Sequence, residues 1–165
     1  MYLGLDLGTG SAKALLLDAN GATVGETSAA YHAVSPHAGW SEIDPEIWLQ
    51  ALTTCVQALP AGARAAVKGI GLSGQMHGVV LSDAQGNALR PAVLWLDTRA
   101  VAQLARYPTL ADSLKRLGNA PSAGMAGPIL LWLAEHEPIG LQAARWALQE
   151  GINSPLFAPA MRLGQ

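Results

Sequence analysis

Two tight-turn signals within the first 31 residues leave this chain little choice about how it begins. Tyr2 to Asp6 is a short apolar run ending on a carboxylate, and Gly8-Thr9-Gly10-Ser11 follows with turn chemistry. Ala12 to Asp18 is apolar again, Ala19-Asn20-Gly21 is an Asn-Gly hairpin signal, and Thr23 to Tyr31 alternates loosely as a third strand. Turns this short cannot hold the crossover that parallel pairing needs, so the three strands form an antiparallel meander.

The remainder alternates strand and helix patterns. His32 to Asp44 reads as loop, broken by Pro36, Gly39 and Ser41. Asp44-Pro45-Glu46 then starts a helix, with Asp as N-cap, Pro at the first helical position and an acid in the first turn, and the helix should stop before Pro60. Val67 to Leu72 reads as a buried strand with a loop at its end, Ser73 to Gly78. Val79 to Ser82 and Val93 to Trp95 are further strands, separated by a turn at Asp83 to Asn87. Helical spacing follows over Thr98–Arg106, Ala111–Leu117, Pro128–His136 and Ile139–Leu148. Residues 149–165 change character, with Gly151, Asn153, Pro155, Pro159 and Gly164, and read as an irregular tail. The order implies an α/β fold with a mixed sheet, its domain part spanning residues 1–148.

Composition removes several function classes. A net charge of −2, with 10 scattered basic residues, leaves no footprint for nucleic acid. The N-terminus has no basic segment ahead of its apolar run, and the longest apolar runs are too short to span a bilayer, so no membrane partner and a cytoplasmic location are expected. The single cysteine, Cys55, excludes an internal disulfide and falls in helical step with Trp48, Leu52, Val56 and Leu59, as a core thiol does. Charged residues are only 13% and hydrophobic ones 50%, against roughly 25% charge in an ordinary soluble domain. Either the chain has an alanine-rich bias, or some of its apolar surface is meant to be covered by other polypeptide.

Three motifs carry chemistry. In Asp6-Leu7-Gly8-Thr9-Gly10-Ser11-Ala12-Lys13, a carboxylate at a strand end precedes a glycine and hydroxyl turn. Amides and hydroxyls of Gly8, Thr9, Gly10 and Ser11 can cradle phosphate, Lys13 can add positive charge, and Asp6 can face Mg²⁺ through water. It is neither a dinucleotide fingerprint nor a P-loop, and the plain alternative is a hairpin turn with a surface aspartate. Gly74-Gln75-Met76-His77-Gly78 stands at a strand's carboxyl end, where open α/β sheets place ligands, and its polar groups suit a polyol; a structural histidine in a loop is the alternative. Trp95-Leu96-Asp97-Thr98-Arg99 offers Asp97 and Arg99 to a sugar hydroxyl or to each other, and Asp97 can equally cap a helix. His32, His37, His77 and His136 show no metal-ligand spacing.

In this order the motifs resemble the FGGY carbohydrate kinases, on the xylulokinase side of the family. MYLGLDLGTGSAK is similar to the family's opening phosphate motif, WSEIDPEIW (Trp40 to Trp48) to a stretch typical of xylulokinases, and GQMHG (Gly74 to Gly78) to their substrate loop. RPAVLWLDTR (Arg90 to Arg99) resembles the family's W-x-D-x-R element and PILLWLAEHEP (Pro128 to Pro138) a later helix, so the likeness covers about residues 1 to 148. It implies an actin-like, ribonuclease-H-like fold, ATP with Mg²⁺, and D-xylulose or a related ketose as phosphoryl acceptor. Residue by residue it implies Asp6 beside the metal, Gly8, Thr9, Gly10, Ser11 and Lys13 at the nucleotide phosphates, and Gln75, Met76, His77, Asp97 and Arg99 towards the sugar.

The chain also departs from the pattern. Gly124-Met125-Ala126-Gly127-Pro128-Ile129 stands where many relatives have a lysine after the proline, and residues 149–165 are unlike the family. The aspartate general base and the second, adenosine-holding domain of such kinases have no counterpart in these 165 residues, so the 165-residue polypeptide is expected to be truncated and catalytically incomplete. An unpaired strand edge and the apolar helix face from Ile129 to Leu133 are then expected to drive self-association.

Overall fold

The computed structural model describes residues 1–149, which divide into two compact units. The first comprises Met1–Ala33 with Asp44–Gln75, and the second comprises Val34–Ile43 with Met76–Gln149. Each has its own four-stranded sheet.

The first sheet has the order β3-β2-β1-β5. Strands β1 (Tyr2–Leu7), β2 (Ser11–Leu17) and β3 (Thr23–Ala30) form the expected meander. Its second turn is closed by Asp18, whose carboxylate accepts from the amides of Asn20 and Ala22 at 2.8 and 2.9 Å, while Gly21 takes a φ of +84° that a side chain would resist. Helix α1 (Pro45–Ala58) covers one face of this sheet. Asp44 caps it by accepting from the Glu46 amide at 2.9 Å, and Trp48, Leu52, Cys55 and Val56 bury its inner stripe against Leu3, Leu7, Ala12, Ala14 and Leu16. Two polar links fasten the layer: the Thr27 hydroxyl donates to the Cys55 carbonyl at 2.8 Å, and the Cys55 thiol to the Ala12 carbonyl at 3.4 Å. A single helical turn, α2 (Ala61–Arg64), leads into β5 (Gly69–Gly74), which runs parallel to β1 and makes the sheet mixed.

The second sheet has the order β4-β7-β6-β8, all antiparallel. Its strands are β4 (Glu42–Ile43), β6 (Val79–Ser82), β7 (Ala92–Val93) and β8 (Trp146–Gln149). A 3₁₀ segment (Arg99–Arg106), α3 (Leu110–Leu117), α4 (Ala126–His136) and α5 (Pro138–Ala143) complete the unit. Its core joins Val79, Leu81, Val93, Ala100, Ile129 and Leu133. Gly124 is required just before α4, because a Cβ there would collide with the backbone carbonyl of Trp95.

Several expectations are corrected. The loop read over His32 to Asp44 contains β4, which pairs with β7. The strand read as Val67 to Leu72 runs from Gly69 to Gly74 and is not buried: Ile70 and Leu72 are 36% and 38% exposed, since β5 is an edge of its sheet among the described residues. The strand at Val93 to Trp95 is only Ala92–Val93, and Trp95 is exposed. The helix read as Ile139 to Leu148 stops at Ala143, and Trp146–Gln149 pairs with β6 instead. The face of α4 from Ile129 to Leu133 does not lack partners, because both residues are fully buried in the second core. The tail reading lies outside the described residues from residue 150 onward. No helix among the described residues is long and apolar enough to cross a membrane.

Candidate functional site

The first site element is the hairpin between β1 and β2. The Gly8 amide donates to the Ser11 carbonyl at 2.9 Å. A Cβ on Gly8 would sit 3.2 Å from that carbonyl and 3.7 Å from an Asp6 carboxylate oxygen, so glycine keeps the turn tight beside Asp6. Thr9, Gly10 and Lys13 are exposed, and Ser11 is half-buried. Tyr31, buried just past β3, braces the loop from below: its amide donates to the Gly10 carbonyl at 3.0 Å and its hydroxyl donates to the Gly8 carbonyl. Sequence reasoning placed Tyr31 only as a strand residue. Its aromatic ring after two small alanines, Ala29 and Ala30, was the one available signal.

Strand β5 brings the second motif to the same end of the sheet. Its parallel register sets Asp6 opposite Ser73 and Leu7 opposite Gly74, and the Gln75 amide donates to the Leu7 carbonyl at 2.8 Å. Asp6 and Gln75 therefore leave the carboxyl ends of neighbouring parallel strands, the position that favours ligands in α/β sheets. Both polar atoms of the Gln75 carboxamide are buried without a hydrogen-bond partner. A buried amide left unpaired costs about 1–3 kcal/mol, so such a group calls for a ligand or water to complete it.

The Asp6 carboxylate is engaged in no hydrogen bond or ion pair among the described residues. Those residues also hold no group of three or more His, Cys, Asp and Glu able to bind a metal. One carboxylate beside a tight glycine turn fits Mg²⁺, which is commonly held by one or two carboxylates, waters and the substrate's own phosphates.

The remaining candidates belong to the second unit. Met76 is 67% exposed, and His77 holds a φ of +80°, the only positive value at a non-glycine residue among those described. Asp97 and Arg99 take up the mutual pairing that their spacing allowed. Arg99 Nε and Nη2 donate to the two Asp97 oxygens at 2.9 and 2.7 Å, and Asp97 also accepts from the amides of Ser41 at 2.6 Å and Arg99 at 2.8 Å. Neither side chain retains solvent exposure. Arg99 Nη2 also reaches Glu42 at 2.8 Å, and Arg90 bridges Glu42 and Glu137. The Arg99 guanidinium carbon lies 3.6 Å from the Trp40 ring centre and 5.1 Å from that of Trp132. Trp40, Glu42 and Arg90 were not singled out from the sequence, although Trp40 and Glu42 fall within WSEIDPEIW.

A model of the N-terminal domain of the FGGY family of carbohydrate kinases matches residues 1–155. The chain belongs to the FGGY family of carbohydrate kinases. This FGGY chain is 41% identical over 143 residues to the xylulose kinase of Escherichia coli (strain K12), covering 84% of itself and 29% of that protein. With a xylulose kinase of Streptomyces coelicolor it shares 37% over 152 residues, covering 88% and 31%. Among solved structures, a xylulose-type kinase from Brucella ovis superposes with a TM-score of 0.82 at 42% identity, over 90% of this chain and 32% of the other. The xylulose kinase of Rhodospirillum rubrum gives 0.80 at 31% identity, over 89% and 31%. The chain thus spans about a third of the length of these relatives.

Proposed function

We propose that this FGGY chain supplies the nucleotide-phosphate turn and the acceptor-sugar loop of an ATP-dependent D-xylulose kinase. The observation that carries the reading is the parallel register of β1 and β5, which delivers the Asp6 hairpin and Gln75 to one end of one sheet. Phosphoryl transfer makes few covalent demands on a protein and depends on positioning and charge. The sugar hydroxyl attacks the γ-phosphorus, its O–P bond forms as the bond to the bridging oxygen breaks, ADP leaves, and the hydroxyl proton passes to a base.

The Gly8 amide is given to the Ser11 carbonyl and closes the turn; the amides beyond it and the hydroxyls of Thr9 and Ser11 would orient the phosphate oxygens, and Lys13 would offset their charge. Mg²⁺ held at Asp6 through water would neutralise charge on the β- and γ-oxygens. Gln75, Met76 and His77 would hold the acceptor, with the Gln75 carboxamide meeting a sugar hydroxyl. The identity near 40% to several xylulose kinases supports D-xylulose over other acceptors.

The test is a sugar panel assayed with MgATP on the complete gene product. D-xylulose 5-phosphate is the expected product. Turnover of another ketose or of glycerol without turnover of D-xylulose would overturn the specificity, and binding of sugar with no transfer would overturn the kinase reading.

A further inference from the structure

The segment Val34–Ile43 belongs to the second unit although both its neighbours in sequence belong to the first, so something must hold it there. Arg99 is at the centre of that hold. Its guanidinium lies 3.6 Å above Trp40 and donates to Glu42, while Asp97 accepts from the Ser41 amide. Next to them the Thr98 amide and hydroxyl both donate to the Gly39 carbonyl, at 2.8 and 3.0 Å. WSEIDPEIW is therefore divided in its work: Trp40, Ser41 and Glu42 fasten to the second unit, and Asp44, Pro45 and Trp48 begin and bury α1 in the first.

The clamp leads to the sugar loop by a short route. Glu42 is the register partner of Val93, and Val93 is in turn the partner of Val79, two residues after His77. His77 itself sits at a φ of +80°. A non-glycine residue keeps such a backbone only where its surroundings over-determine it. The chain after His77 is so determined, since Gly78, Val79 and Val80 are buried.

We infer that Arg99 is a positioning residue for the sugar loop and not a sugar ligand: by fixing β4 to β7, and β7 to β6, it holds His77 in its unusual backbone. Nε and Nη2 are committed within the protein, and although Nη1 has no hydrogen-bond partner, the side chain has no exposed surface and lies stacked on Trp40, so a sugar has no face of it to reach. The functional weight of this role rests on the sugar-kinase reading of the loop.

Hydrogen-exchange mass spectrometry on the 165-residue chain tests it, comparing the parent with Arg99→Lys, which keeps the charge but loses the planar fork. The expected result is faster exchange in peptides covering residues 40–43 and 76–82, with α4 and the first sheet unchanged. Faster exchange at residues 40–43 and 90–99 with residues 76–82 as protected as in the parent would overturn the inference. Should Arg99→Lys strip protection from the whole second unit, Glu42→Gln, which keeps the shape and weakens the clamp, decides by the same comparison. Exchange is read without sugar or nucleotide, so the clamp can fail while the kinase reading stands, and the reverse.

Discussion

Asp6 and Lys13 are register partners at the mouth of the first hairpin, opposite charges on one face of the sheet that form no ion pair with each other. Directly opposed residues place their Cβ atoms about 5 Å apart, so a pair was within reach. Left separate, the carboxylate remains available to a cation and the ammonium to a phosphate. Two other oppositely charged neighbours, Asp97 and Arg99, do the reverse and pair through two hydrogen bonds, from Arg99 Nε and Nη2 to the two Asp97 oxygens. The contrast separates a charged pair left apart by the fold from one that holds the fold.

Asp6→Ala should therefore cost function and spare the fold. Asp6 is only half-buried and packs no core, so the thermal transition of the chain should be unchanged. If Asp6 acts on the metal through water, activity of the complete gene product should fall by roughly 10- to 100-fold or more. Normal turnover with Mg²⁺ would remove Asp6 from the metal, and a collapsed melting curve would make it structural.

Asp97→Ala should have the opposite profile. It takes both Asp97 bonds from the buried Arg99 guanidinium, which keeps only Glu42, and removes the acceptor of the Ser41 amide. Breaking one side of a buried pair costs about 3–5 kcal/mol. Urea unfolding followed by tryptophan fluorescence would register this, because Trp40 and Trp132 flank Arg99. A loss under about 1 kcal/mol, the range of an exposed ion pair, would mean that the pair is solvated in solution.

At His77 the two smallest replacements should differ. His77→Gly and His77→Ala both delete the ring, but only glycine adopts a φ of +80° without strain. His77→Gly should be the more stable variant by about 1 kcal/mol. Equal melting temperatures would show that the loop relaxes to negative φ in solution.

How far the sequence reached follows from what each element depends on. The meander, the Asp18 turn and the Asp44 cap rest on contacts within a few residues, and all were legible. The stretch after Ala143 was not. Leu141-Gln142-Ala143-Ala144-Arg145 is rich in helix formers, yet Ala144 turns extended and the next residues pair with β6, over sixty positions earlier. Long-range pairing there outweighs local propensity. At the candidate site, the glycine and hydroxyl run beside Asp6 was readable as a tight turn between two strands. The burial of Arg99 was not, because its partners Trp40, Glu42 and Arg90 come from two other stretches of the chain.

Cys55 should behave as an inert core thiol. Burial pushes its pKa above the ordinary 9.0, against smaller opposing effects from hydrogen bonds with Thr27 and Ala29. A raised folded-state value means that the unfolded chain releases the proton first. This contribution to stability is therefore present below about pH 9 and is lost as pH rises past the unfolded value. A thiol reagent should accordingly label Cys55 only after denaturant is added. Rapid labelling of the native chain at pH 8 would contradict both its burial and its direction of shift.

The 165-residue polypeptide should also self-associate. The reason is no longer the helix face from Ile129 to Leu133, which the second core covers. It is the edge of the first sheet: among the described residues β5 pairs only with β1, and Ile70 and Leu72 lie more than a third exposed along it. A flat edge with apolar side chains offers unpaired backbone groups to another chain. Natural edges are commonly protected by charge, and within β5 (GIGLSG) there is none. Overall charge is also low, at 13% of residues with a net of −2, so little repulsion keeps copies apart. Light scattering should rise with concentration, and Leu72→Lys, which puts a charge on the edge, should reduce it without moving the thermal transition by more than a few degrees. A parent chain that stays monomeric at high concentration and binds no hydrophobic dye would show that this edge is covered in solution, and the prediction would fail.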